Sequence, residues 1–225
     1  MRLPDSAHEA HPWVIARIAP DFRLLDAWAL PVAGSRADFD AFLEIMDSLD
    51  PTHSSSAAAR ALFRLRFRLG ALFGWDDATQ KRPIPECSEA TLATRLPDDL
   101  RGTAGASARR SGSRFVPLYR TDEEWAAEIS NDTVHAVLHL GWVEQSEGRY
   151  RAQMGVYVKP RGLLGEIYMM LIGPFRHLIV YPALMRQIGR AWKARDITKT
   201  TDGGTSPATP PSRPRRRRPR AAAGS

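Results

Sequence analysis

Two stretches in the second half of the chain alternate with a period of two, and nothing else in the sequence restricts the fold as strongly. Val134, Ala136, Leu138, Leu140 and Trp142 form an unbroken apolar series, with Thr133, His135, Val137, His139 and Gly141 between them. Successive side chains of a strand point to opposite faces, so this is the pattern of a strand with one face on a core. Tyr150, Ala152, Met154, Val156 and Val158 repeat it against Arg149, Arg151, Gln153 and Lys159, and Glu147-Gly148 supplies the turn of a hairpin. Upstream, Trp125, Ala127 and Ile129 alternate with Glu124, Ala126 and Glu128 ahead of Ser130-Asn131-Asp132, which predicts a third strand. A Thr121 to Glu124 capping box favours a short helix at the same place.

Pro160 ends the strand pattern, and from Leu163 to about Lys193 the apolar residues return at helical spacing around Gly173-Pro174 and Pro182. Proline removes an amide donor and clashes with the preceding turn, so breaks are expected near Pro174 and Pro182. The resulting expectation is an α+β fold in which an antiparallel sheet curls around a long, proline-interrupted C-terminal helix. Short helices belong near the N-terminus: Ser35 to Asp38 can cap one carrying Phe39, Phe42, Leu43 and Met46. Ser54 to Ser56 can cap another with Leu62, Leu65, Leu69, Leu72 and Phe73. Arg60, Arg64 and Arg68 on another face of that helix suit an anionic membrane, but packing one face on a core requires less. Asp21 to Pro31 reads as extended. Residues 76–114 read as a long, partly flexible connection in which only Ser88 to Leu96 is helical in pattern.

At 225 residues and 43% hydrophobic content, the chain suits one core rather than two. Residues 1–11 are expected to be flexible, 12–195 to form the domain and 196–225 to be a disordered tail. The net charge of +7 is concentrated in that tail, where Lys199, Arg213, Arg215, Arg216, Arg217, Arg218 and Arg220 face only Asp202, leaving +1 for residues 1–198. The body therefore carries no global field for a polyanion, whereas the tail can contact nucleic acid or another polyanion without sequence preference. No aromatic residue interleaves with its arginines to stack on bases. The lone Cys87 fits a reducing compartment, and Met1 to Trp13 lack the apolar run of a signal peptide, so a cytoplasmic location is expected. Glu166, Arg176 and His177 interrupt the most apolar segment, Leu163 to Met185, which argues against a transmembrane helix.

The candidate chemistry is sparse. His135 and His139, four residues apart on a strand, lie about 13 Å apart and cannot share a metal. Each is a candidate acid or base, as is His177, with Glu128 as a carboxylate partner, although a hydrogen-bonded or solvent-facing sheet histidine is the simpler account of either strand residue. Arg176 and His177 sit in an otherwise apolar helix and need solvent or a partner, for which Glu124 and Glu128 are candidates. Met154, Met169, Tyr157, Tyr168 and Tyr181, with Arg176, are candidates to line an apolar ligand cavity between sheet and helix. No metal or cofactor is expected, since the glycine-rich strand-to-helix fingerprint of dinucleotide binding is missing.

Three blocks carry a resemblance. Leu69-Gly70-Ala71-Leu72-Phe73-Gly74-Trp75-Asp76, then Glu128 to Asn131 with Thr133 to Trp142, then Gly162-Leu163-Leu164-Gly165 with Tyr168 and Pro174 to Pro182, resemble the bacterial family called domain of unknown function 2867 over about residues 12–192. The family brings no established activity. Its members resemble the helix-grip superfamily of START lipid-transfer domains and polyketide cyclases. That resemblance implies binding of a small hydrophobic or amphipathic ligand, with cyclase- or isomerase-type proton transfer as the alternative and a scaffold localised by its basic tail as a third reading.

Overall fold

The computed structural model describes residues 1–49, 91–104, 115–130 and 134–202. In chain order these form α1 (Asp5–Glu9), α2 (Val14–Ile18), β1 (Arg23–Gly34), α3 (Phe39–Ser48), β2 (Val116–Arg120), β3 (Glu124–Ser130), β4 (Val134–Ser146), β5 (Arg149–Pro160), α4 (Gly162–Phe175) and α5 (Tyr181–Asp202). A π turn, Arg176–Val180, joins the last two into one continuous helix. Short 3-10 turns at Leu92–Arg95 and Asp98–Leu100 lie between α3 and β2.

The five strands form one antiparallel sheet in the order β1-β5-β4-β3-β2. The expected hairpin is β4 and β5, turned at Gly148, whose φ of 67° is open to glycine at no steric cost. At Thr121 the strand prevails over the helix: its Oγ1 accepts from the Glu123 and Glu124 amides, but the chain then pairs along β4. Cross-strand bonding along seven registered positions outweighs two local cap bonds.

Both faces of the sheet are covered. Leu140, Trp142, Ala152 and Met154 face α3 and α5, packing with Phe39, Phe42, Tyr181, Ile188 and Trp192. On the other face Val137, Val143 and Tyr157 meet Trp13, Ile15, Ile18, Phe22, Leu92 and Leu96. The N-terminal residues, expected to be flexible, are instead part of this structure: the Met1 ammonium donates to the Ala29 carbonyl, Arg2 bridges to Trp28, and His8 is fully buried. Within the connection, Thr91 caps the first 3-10 turn and Leu92 is fully buried, so a 3-10 turn replaces the helix expected from Ser88. The C-terminal helix continues to Asp202, past the expected boundary at 196. The expected helix at 54–73, Cys87, the segment 105–112 and the arginines of the tail lie outside the described residues.

Candidate functional site

Asp26 is a lone carboxylate in the apolar run Leu24-Leu25-Asp26-Ala27-Trp28, and it is completely buried. By simple alternation it would share a face with Leu24, which packs on the N-terminal side. A bulge between Leu24 and Asp26 breaks the β1–β5 register, with Leu24 opposite Tyr157 and Asp26 opposite Val156. The extra residue re-aims everything that follows. Asp26, Trp28, Leu30 and Val32 therefore project towards the C-terminal helix.

The helix answers with the π turn, set between Pro174 and Pro182 where neither ring nitrogen can donate into the helical ladder. Such turns occur disproportionately at functional sites. Tyr181 donates its hydroxyl to Asp26 Oδ2 at 2.8 Å. Burial, then the Asp26 charge, push the Tyr181 phenol well above its ordinary range, so it stays a donor. Arg176 Nε lies 2.9 Å from Asp26 Oδ2, and His177 Nε2 lies 3.0 Å from Oδ1. The Trp28 ring sits 4.9 Å from Tyr181 and 6.2 Å from His177.

This cluster is under-satisfied. The Nη1–H of Arg176 and the indole N–H of Trp28 are buried without a hydrogen-bond acceptor among the described residues, while the Arg176 Nε–H and Asp26 Oδ1 meet their partners at ion-pair distance but without hydrogen-bond alignment. A buried donor left without an acceptor costs about 1–3 kcal/mol, more when it is charged. Asp26 is sealed, but the Arg176 side chain is 14% exposed and that of His177 30%, so the cluster opens to solvent on the helix side. Leu25, Val156, Met169 and Ile172 supply apolar neighbours on the same face. The arrangement sets a half-exposed imidazole 3.0 Å from a buried carboxylate, with the guanidinium and indole N–H groups beside it.

A second polar system occupies the opposite face. Glu128, fully buried, accepts from His135 Nε2 at 2.9 Å, from the Leu92 amide at 3.1 Å and from the Thr91 hydroxyl. Glu124 accepts from the Val14 amide, from Tyr119 at 2.9 Å and from His139 Nε2 at 3.4 Å. His8 donates Nδ1–H to Gln153 Oε1 at 2.9 Å and stacks edge-on to His139, with ring centroids 5.2 Å apart. Burial, then the neighbouring His139, lower the His8 pKa to about 4. An open cleft of about 640 Å³ reaches Glu124 past Pro12, Trp13, Thr121 and Glu123, while His139, next to Glu124, and His135 are sealed from solvent. Most of this system's bonds attach the N-terminal segment and the first 3-10 turn to the sheet.

The expected partnership of Arg176 and His177 with Glu124 and Glu128 is therefore corrected. Those carboxylates point to the other side of the sheet, and Asp26 takes their place. The candidate pocket residues divide in the same way: Met154, Met169, Arg176 and Tyr181 lie on the helix face, whereas Tyr157 lies on the N-terminal face. The side chain of Tyr168 lies outside the described residues. Around Asp26 the fold brings together Arg176, His177 and Tyr181, and sequence reasoning missed Asp26 and Trp28. A single acid inside an apolar strand was the available signal, because a buried carboxylate must find partners.

Comparison with curated proteins and with solved structures returned no match. The likeness to the helix-grip superfamily thus finds no support from a solved relative. A family model described as protein of unknown function (DUF2867) matches residues 18–183, which contain β1, the whole sheet, the π turn and the cluster around Asp26. The chain belongs to the DUF2867 family.

Proposed function

We propose that this protein binds a small amphipathic molecule whose head presents acceptor oxygens, carboxylate or carbonyl, to Arg176 and Trp28 beside Asp26. One observation carries the reading: three buried N–H donors without aligned acceptors, two from Arg176 on the π turn and one from Trp28 on the bulged strand β1. The apolar remainder of the ligand would lie against Met169, Ile172 and neighbouring residues of the helix–sheet seam. The test combines native mass spectrometry of the purified protein with calorimetric titration of dodecanoate. Trp28→Phe keeps an aromatic side chain, though a smaller one, and removes the donor, and one lost hydrogen bond of about 1 kcal/mol weakens binding about fivefold. A wild-type protein that carries no co-purifying amphiphile and gives no heat with dodecanoate overturns the proposal.

A second reading has its own support. A half-exposed imidazole 3.0 Å from a buried carboxylate is an arrangement suited to general acid–base work, with His177 moving the proton and Asp26 positioning it. Under this reading His177→Asn retains dodecanoate binding but abolishes turnover of the molecule identified by mass spectrometry. Unchanged turnover in His177→Asn returns the site to binding alone.

A further inference from the structure

The solvent side of α4 and the π turn is apolar but for Glu166, which pairs with Arg23. Leu163, Ile167, Met170, Leu171, Phe175 and Leu178 are between 44% and 77% exposed, at spacings of three and four residues that place them on one face. The opposite face, through Gly165, Met169 and Ile172, rests on the sheet. Scattered exposed leucines need no explanation, but a contiguous stripe of six large side chains marks an interaction surface. Over Gly165–Ile197 the helix is long and apolar enough to cross a bilayer, and only 12% of its most apolar 18-residue window is buried, unlike a core helix.

Spanning would separate Arg176 and His177 from Asp26, and Ile188 and Trp192 from their core. Lying flat on a surface keeps all of these contacts. The charges select which surface. Beyond the apolar stripe, the solvent side of the same helix continues with exposed Arg186, Arg190 and Lys193, and the sequence ends in the arginine run 213–220. Among the described side chains the acids on this side are Glu166, paired with Arg23 at 2.8 Å, and Asp196, 4.0 Å from Arg195. An apolar stripe followed along one helix by cations matches acyl chains beside anionic headgroups. A second copy of the chain would set these cations against their own kind if the helices ran parallel, and against the apolar stripe if they ran antiparallel.

We infer that the exposed face of α4 and the π turn docks the protein peripherally on an anionic lipid bilayer. This stands apart from the proposed ligand site, because the stripe residues are exposed on the solvent side of the helix while Asp26 is fully buried beneath it. The test is co-sedimentation of the full-length protein with vesicles of phosphatidylcholine alone and with phosphatidylglycerol added, with size-exclusion light scattering in parallel. Wild-type protein is expected to partition onto the anionic vesicles and to be released by alkaline carbonate. The double variant Leu171→Glu/Leu178→Glu, at exposed positions that leave the core intact, is expected to lose at least tenfold in partitioning. Arg186→Glu/Lys193→Glu should remove the preference for phosphatidylglycerol. Partitioning unchanged in the leucine variant assigns binding to charge elsewhere and overturns the inference. So does resistance to carbonate, or a wild-type dimer that the leucine variant dissociates without any vesicle binding.

Discussion

Acidification should expose His8 as a point of weakness with a defined size. The ring is fully buried, its Nδ1–H is given to Gln153, and Nε2 has no acceptor among the described residues. Protonation would place a charged N–H against the Gly155 backbone, where even a Cβ would lie 2.6 Å from Nε2, and beside the His139 ring. The folded protein therefore holds His8 neutral down to about pH 4, against an ordinary value of 6.5. Because the folded-state value is lowered, the unfolded chain binds the extra proton first. Stability is lost as pH falls from about 6.5 and the loss levels off below about 4. At about 1.4 kcal/mol per tenfold in the proton equilibrium, His8 accounts for about 3 kcal/mol across that window. Urea unfolding followed by tryptophan fluorescence between pH 7.5 and 4 measures it, with His8→Gln as the comparison. Carboxylates titrate in both proteins and cancel, so the wild type should lose about 3 kcal/mol more than the variant over the same range. Parallel curves would refute the reasoning, since they would mean that His8 finds an acceptor or water in solution.

Three further perturbations address the buried charge and the packing. Asp26→Ala leaves Arg176 buried without its counter-charge and should cost about 3–5 kcal/mol in urea denaturation, whereas a cost below about 1 kcal/mol would mean that the guanidinium swings out to water. Gly141→Ala drives a methyl to 2.6 Å from the Trp13 ring and should cost about 1–3 kcal/mol. Gly173→Ala, with nothing within 4 Å of the added Cβ in the middle of a helix, should be neutral or stabilise by up to about 1 kcal/mol. Equal thermal shifts in the two alanine variants would contradict the packing around Trp13.

The family and the fold class were readable from residues in order along the chain, because period and turn chemistry are local. Alternation in β4 and β5, the Glu147-Gly148 turn and the apolar spacing after Pro160 each act within a few residues, and the structure keeps them. The interruption at Pro174 and Pro182 was likewise local, although its form, a π turn and not a break, depends on what the helix packs against. β2 was missed because Val116 to Arg120 is only five residues long and has Pro117 in its middle, so its pairing with β3 outweighs a weak local signal. The N-terminal segment looked polar and mobile because the partners of His8 and Trp13, namely Gln153, Gly141 and His139, lie more than a hundred residues away. The candidate site shows the same division most sharply. Arg176, His177 and Tyr181 were identifiable as polar groups on an apolar helix, a conflict visible in one dimension. That they converge on Asp26, and not on Glu124 or Glu128, was decided by one extra residue in β1, which reverses the facing of a strand with no trace in its composition.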